Sequence, residues 1–277
     1  DAAADAVGVN LLISGESSGS AIFYNTRFPH SSGMLKADEK FLSRFAEICN
    51  KNLEIISIEK RHSSTIDCYL EKKKITDVNF LKLDTEGNEH QILEGATNLL
   101  SSRSLFAVKS EVWLGPIKDE NEFSQMDTLL RKFNFQLFDM QFCRYPRNSL
   151  PNGVITGQKK MKSDGNTLGQ FLTGDVIYIK DPIYLLNKNL DLFDWTDTNV
   201  LKLALIYNVY NCPDASLELL IFYENNYASN LDFNELKNFF TPKLPNGSKV
   251  KYYEYLDLSK KLSNGFVGYQ KYWRTGK

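Results

Sequence analysis

The chain has 277 residues, 42% of them hydrophobic and 13% aromatic, so it is long enough to bury a substantial core. Its 33 Lys and Arg balance 34 Asp and Glu to a net charge of -1, which argues against a protein that binds nucleic acid through a basic surface. The same hydrophobicity and charge argue against a disordered chain.

Cysteine spacing and hydropathy predict the compartment. Cys49, Cys68, Cys143 and Cys212 are widely spaced, with neither a C-x-x-C pair nor the Cys/His spacing of a zinc site. Scattered thiols are typical of a reducing compartment. No apolar run reaches the roughly 18–20 residues of a membrane span. We therefore predict a cytoplasmic protein without a membrane span.

Strand-like and helix-like segments alternate along the first two thirds of the chain. The residue patterns predict strands over Val9–Ser14, Ser20–Asn25, Leu53–Lys60, Asp77–Asp84, Ser104–Val112, Phe135–Gln141 and Gly174–Lys180. Helical spacing predicts helices over Asp38–Asn50, Ser64–Lys73 and Glu122–Phe133, and another from about Asn88 that buries Ile92, Leu93, Ala96, Leu99 and Leu100. This alternation predicts an α/β sheet with parallel crossovers.

The last third of the chain has a different pattern. Arg144–Gly169 is rich in Pro, Asn, Gly and Lys and is predicted to be a long exposed loop. Beyond Pro182 the chain carries amphipathic helical stretches without intervening strands, at Val200–Tyr210, Ala215–Glu224 and Phe233–Phe240. We predict one α/β domain over residues 1–183 and an all-helical extension over 184–277.

Acidic side chains are concentrated where a predicted strand ends. Within Phe80–Glu89 (FLKLDTEGNE), Asp84 is the last residue of the predicted strand and Glu86 follows it, and Glu111 lies at the carboxyl end of the next strand. Ligands of open α/β sheets bind outside the carboxyl ends of the strands. If the two strands are neighbours, three carboxylates converge, which suits either proton abstraction or cation binding. The alternative is ordinary turn chemistry, with Glu111 as a solvated loop residue.

Local turn and cap signals surround these acids. Gly87 permits a tight turn from strand to helix, and Glu89 falls in the first helical turn, where an acid suits the helix dipole. Ser64 and Asp67 form an S-x-x-D pair that predicts the start of the preceding helix.

The segment Val78–Glu89 (VNFLKLDTEGNE), followed by Ile92–Ala96 (ILEGA), resembles the central motif of the FkbM-type S-adenosylmethionine-dependent methyltransferases. Other segments resemble family motifs in the same order, namely Ser14–Tyr24, Ser63–Asp67, Ser110–Glu111, Phe135–Asp139 and Gly174–Ile179. The resemblance covers about residues 9–180. It implies a partial Rossmann-like methyltransferase sheet, with S-adenosylmethionine as the cofactor.

The front of the family's cofactor site is not evident in the sequence. In the family, the first strand ends in an acid-x-Gly-x-x-x-Gly loop that holds the cofactor, and the second ends in an acid for the ribose hydroxyls. The only similar segment here is Asp5–Asn10 (DAVGVN), which has an extra residue before its glycine. We expect the chain to begin at the family's third strand, with the domain incomplete at its N-terminus and the cofactor-binding residues unassigned.

The resemblance implies methyl transfer, most simply to a hydroxyl of a small molecule or glycan. In-line transfer depends on positioning the acceptor, and a nearby carboxylate helps by taking the hydroxyl proton. We predict Asp84, Glu86 and Glu111 as catalytic residues, although Asp84 could equally hold a divalent cation. Trp113 and His30 are predicted to bind the acceptor. The alternatives are a core aromatic for Trp113 and a loop without a role for His30.

Two other classes of protein share part of this sequence pattern. A methyltransferase-like domain without its cofactor loop could serve as a non-catalytic binding or scaffold module. Asp84-Thr-Glu86 also resembles the D-x-E of two-metal exonucleases, which need a downstream acid preceded by His. No histidine follows His90, and the balanced charge does not favour a nuclease. The sequence makes no prediction of oligomeric state.

Overall fold

Two sheets and several helices make up the computed structural model, which describes residues 12–15, 19–45, 53–115, 123–149 and 169–263. The mixed α/β architecture followed by helices confirms the predicted fold class. Contacts divide the chain into two compact units, Asp1–Phe193 and Asp194–Lys277. The boundary predicted at 183/184 stays a prediction.

The first sheet has three strands in the order β1-β3-β2. These are β1 (Leu12–Ile13), β2 (Gly19–Thr26) and β3 (Ile55–Ser64). β3 pairs in parallel with β1 and antiparallel with β2. The first two strands therefore do not pair with each other, because the later strand β3 lies between them.

The second sheet has four strands in the order β4-β5-β7-β6. These are β4 (Phe80–Leu83), β5 (Ala107–Trp113), β6 (Gln136–Tyr145) and β7 (Gln170–Ile179). β4 and β5 are parallel as expected, but β7 is antiparallel to both of its neighbours. The sequence between β6 and β7 carries no helical pattern, and antiparallel strands need no helical crossover.

Helices accompany the strands of the first unit. They are a 3-10 turn (Pro29–Ser31), α1 (Glu39–Leu42), α2 (Ile66–Lys73), α3 (Glu89–Glu94), α4 (Thr97–Ser101), α5 (Phe123–Lys132) and α6 (Pro182–Asn187). No helix among the described residues combines the length and hydropathy that a membrane crossing requires.

The main core lies between the second sheet and helices α3, α4 and α5. The stripe predicted from about Asn88 is buried in it, with Leu99 the most exposed member at 6%. Full burial of one such side chain stabilises the fold by about 1.5–3 kcal/mol. The single predicted helix is divided into α3 and α4 at Gly95, where a Cβ would lie 2.9 Å from Thr65 Cγ2. This close approach packs the junction of α3 and α4 against the start of α2.

The start of α2 differs from the sequence prediction. Ser64 belongs to β3, and the N-cap is Thr65, whose hydroxyl accepts a hydrogen bond from the amide of Cys68 at 3.1 Å. Asp67 instead caps another helix, since its carboxylate accepts from the amides of Asn98 (2.8 Å) and Leu99 (3.0 Å) in α4. Sequence spacing identified a capping acid but assigned it to the wrong helix.

Every regular element described in the second unit is a helix, in agreement with the predicted extension. These helices are α7 (Asp197–Val209), α8 (Pro213–Asn226), α9 (Phe233–Phe240) and α10 (Tyr252–Ser263). Trp195 stacks on Tyr227 at 5.0 Å between ring centroids. The Asp197 carboxylate accepts hydrogen bonds from the hydroxyls of Tyr223 (3.0 Å) and Ser229 (2.7 Å).

Candidate active site

The register of β4 and β5 brings the predicted acids together. Leu83 pairs with Ser110, so the next residues, Asp84 and Glu111, are neighbours at the same edge of the sheet. Parallel strands present their carboxyl ends at one edge, where ligands of α/β sheets bind. The convergence expected from the sequence is thus present in the fold.

Three carboxylates meet at this edge. One oxygen each from Asp84, Glu86 and Glu111 lies within 4.8 Å of the other two. Asp84 is exposed, and the two glutamates are half-buried. Carboxylate oxygens are the ligands that hard cations prefer, and a carboxylate can also accept a proton from a bound hydroxyl. The group therefore supports both roles left open by the sequence, proton acceptor and cation ligand.

A lysine on the same face of the sheet offsets part of this negative charge. Lys82 Nζ lies 2.7 Å from Asp84 Oδ2, which matches the alternation that places residues 82 and 84 on one face. Lys109, paired with Lys82 in the strand register, forms an ion pair with Asp175 at 3.0 Å. The pair at Lys82 is solvent-exposed on both sides, so its contribution to folding is small. Its effect is to orient the Asp84 carboxylate.

The turn after β4 has an unusual backbone. Glu86 has a φ of 61° and Gly87 a φ of 118°, both in the left-handed half of conformational space. Gly87 adopts such a φ without steric cost, as the sequence predicted, whereas a residue with a Cβ pays roughly 1–3 kcal/mol. The cost at Glu86 is consistent with a functional site, where local strain often concentrates.

Glu89 lies in the first turn of α3, as expected, and has a further role there. The sequence placed it in the first turn of α3 as an acid that suits the helix dipole. It is fully buried, and its carboxylate accepts hydrogen bonds from Thr85 and Gly87 in the turn before the helix. The T-x-G-x-E spacing of Thr85, Gly87 and Glu89 is the sequence signal for these hydrogen bonds. The sequence does not show that Glu89 is buried, because its burial results from the packing of α3.

The loop that carries His30 lies beside this turn. His30 is exposed within the 3-10 turn, with its ring 5.2 Å from that of Phe28. Gly33, at the end of the same loop, packs against the backbone of Thr85 and Glu86. The loop thus borders the acidic turn, and acceptor binding by His30 stays a prediction.

Trp113 lies deep in the fold. It is 6% exposed and packs in a second apolar cluster with Leu42, Phe45 and Leu172. It shares the face of β5 that carries Glu111, two residues earlier. This position fits the core-aromatic alternative, and a role in acceptor binding stays a prediction.

Several predicted segments lie wholly or partly outside the described residues, among them parts of the strand predicted at Val9–Ser14 and of the helix predicted at Asp38–Asn50. Asp5–Asn10, the only segment similar to the family's cofactor loop, is wholly outside them. Most of the predicted Arg144–Gly169 loop is outside them too, although its two ends are described. No described residue is therefore assigned to hold the cofactor.

Comparison with known proteins supports the resemblance seen in the motifs. Residues 4–137 match the family model of the methyltransferase FkbM domain. The matched range contains all three clustered acids, and the match confirms that the chain is similar to FkbM-type methyltransferases. No curated protein and no solved structure matches the chain.

Proposed function

We propose, on the basis of the methyltransferase FkbM domain that residues 4–137 match, that the chain transfers the methyl group of S-adenosylmethionine to a hydroxyl of a small molecule or glycan. The family match supports a methyltransferase in general. The observation that carries the acceptor side of the proposal is the convergence of Asp84, Glu86 and Glu111 within 4.8 Å at one sheet edge.

The acidic cluster fits the chemistry of the methyl donor. S-adenosylmethionine supplies an electrophilic methyl group on a positively charged sulfur. Fixed negative charge at a strand end attracts a cation and lowers the energy of placing it there. Lys82, which pairs with Asp84, offsets only part of this charge, because it carries one positive charge and the cluster has three carboxylates.

The residues of the chain act on the acceptor hydroxyl. As the oxygen forms its bond to the methyl carbon and the carbon–sulfur bond breaks, the hydroxyl proton must leave. A carboxylate of the cluster takes that proton, and Asp84, the exposed member, is the most accessible to an acceptor. The Pro29–Gly33 loop, which packs on the turn, borders the place where the acceptor would lie. His30 is our proposed acceptor contact there.

Calorimetric titration of the full-length protein with S-adenosylmethionine tests the proposal. We expect saturable binding, and transfer of an isotopically labelled methyl group to at least one member of a panel of sugar and small-molecule hydroxyl acceptors. Absence of binding by the full-length protein would overturn the enzyme proposal and favour the non-catalytic binding or scaffold module. Metal-dependent release of nucleotides from DNA would instead favour the exonuclease.

A further inference from the structure

A buried carboxylate lies beneath the acidic turn. Glu89 is 0% exposed, in the first turn of α3. Its Oε1 accepts hydrogen bonds from the Thr85 amide at 2.8 Å and the Thr85 hydroxyl at 2.9 Å. Its Oε2 accepts from the Gly87 amide at 3.0 Å. The residues that donate to Glu89 are therefore the two that flank Glu86.

The hydrogen-bond donors of Thr85 and Gly87 require an acceptor on both side-chain oxygens of residue 89, which a carboxylate provides. An ionised carboxylate is acceptor-only, and here both of its oxygens face N–H or O–H groups. A glutamine would keep one accepting oxygen but would present an N–H₂ group to one of these donors. A buried charge is tolerated when hydrogen bonds of this kind satisfy it. The arrangement is thus specific for Glu rather than for any polar residue.

The hydrogen bonds to Glu89 hold the turn in the conformation that is strained at Glu86. Glu86 has its left-handed φ of 61° between Thr85 and Gly87, both of which are tied to the Glu89 carboxylate. Without those ties, the turn could relax to a more ordinary backbone conformation. The Glu86 carboxylate would then leave the group that lies within 4.8 Å.

We infer that Glu89 is the positioning residue of the acidic site: its buried carboxylate clamps the Thr85–Gly87 turn and so places Glu86 beside Asp84 and Glu111. This inference rests on the proposed function for its catalytic consequence. Its structural part, the clamp on the turn, depends only on the hydrogen bonds. Glu89 acts through the turn and does not itself contact the acceptor.

Amide hydrogen exchange, measured by NMR in the intact protein, tests the clamp without any turnover. Glu89→Gln should speed exchange at Thr85 and Gly87 by about tenfold or more, because the turn opens locally more often. The matched control is Glu94→Gln, which makes the same change at an exposed carboxylate on the same helix and should leave both amides unaffected. Equal protection in the two variants would overturn the inference.

Methyl-transfer kinetics test the consequence for the site. Glu89→Gln should lower kcat by about tenfold or more and leave the KM for S-adenosylmethionine nearly unchanged, since misplacement of a catalytic group affects the transition state. In a Glu86→Gln background, the same substitution should cost little more, because Glu89 acts through the placement of the Glu86 carboxylate. Fully additive losses would mean a general loss of stability, and the positioning role would be rejected.

A second variant guards against misfolding. If Glu89→Gln does not fold, Thr85→Val removes only the hydroxyl donor and keeps the shape of the side chain. It should speed exchange at Gly87 and lower kcat in the same direction by a smaller factor; no change in either would reject the clamp.

If the unaltered protein transfers no methyl group, the proposed function fails, and the exchange rates alone decide whether Glu89 holds the turn.

Discussion

Gly33 lies against the backbone of Glu86, so that a Cβ at position 33 would be 3.0 Å from the Glu86 carbonyl oxygen. The same Cβ would lie 3.1 Å from the carbonyl oxygen of Thr85. Both neighbours are backbone atoms of the acidic turn, and backbone yields less readily than a side chain. The contact couples the His30 loop to the turn that carries the candidate catalytic acids.

Gly33→Ala adds only one methyl group, but we expect it to displace the backbone of the acidic turn. Overpacking typically costs about 1–3 kcal/mol of stability, and a shift of the turn is expected to lower kcat/KM for methyl transfer by about tenfold. Urea denaturation and initial-rate kinetics measure the two effects. The control is Gly19→Ala, where an added Cβ meets nothing within 4 Å. Equal behaviour of the two variants would show that the loop and the turn are not coupled.

Replacing the clustered acids by their amides should abolish most of the activity. Asp84→Asn, Glu86→Gln and Glu111→Gln each keep the side-chain size but remove a carboxylate. For the residue that takes the acceptor proton, kcat should fall by about 10²–10⁴-fold. Steady-state kinetics with a labelled methyl donor measure the loss and rank the three acids.

Asp175→Asn is the matched control for these substitutions. Asp175 is the partner of Glu111 in the β5–β7 register, but its carboxylate pairs with Lys109 outside the cluster. Transfer rates should remain close to those of the unaltered protein. A loss as large as that of the three cluster variants would mean that the charge of the whole sheet face matters rather than the cluster.

Asp67→Ala should lower stability without changing the chemistry. The substitution leaves the amides of Asn98 and Leu99 without their capping acceptor, and loss of an N-cap typically costs about 0.5–2 kcal/mol. Urea unfolding should show this loss, with kcat unchanged under conditions where the variant is folded. Glu71→Ala, an exposed position on the same helix α2, should have little effect. A specific loss of kcat at Asp67 would contradict a purely structural role.

Lys180 should make stability depend on pH above neutrality. Burial lowers the pKa of its ammonium from 10.5 to about 8, while its Nζ donates to the carbonyl oxygens of Leu100 (2.8 Å) and Ser102 (2.7 Å). Between about pH 8 and pH 10.5 the unfolded chain binds the proton more tightly than the folded protein does. The free energy of unfolding should thus rise with pH across this range, by roughly 3 kcal/mol from this group.

Urea titrations at several pH values, compared between the unaltered protein and Lys180→Met, isolate that dependence. The variant leaves two helix-end carbonyls without their donor and should be less stable at every pH, but it should lack the rise that Lys180 causes. Parallel curves for the two proteins would show that the Lys180 pKa is ordinary.

The sequence alone determined much of the site, because its signals there are local. Strand alternation, a glycine at the turn and an apolar helical stripe identified β4, the turn and the helices that follow. They also placed Asp84 and Glu86 at the carboxyl end of a strand. The convergence with Glu111 was predicted on the condition that the two strands are neighbours, and that condition is met.

Only the tertiary structure decided what each flanking residue contacts. Asp67 caps a helix whose first residues lie about thirty positions further along the chain, and Glu89 becomes a clamp only when α3 is buried. The antiparallel position of β7 between β5 and β6 was likewise not predicted. These features depend on which elements pack together, because burial and hydrogen-bond partners are supplied by residues distant in sequence, whereas periodicity and turn chemistry report only on near neighbours.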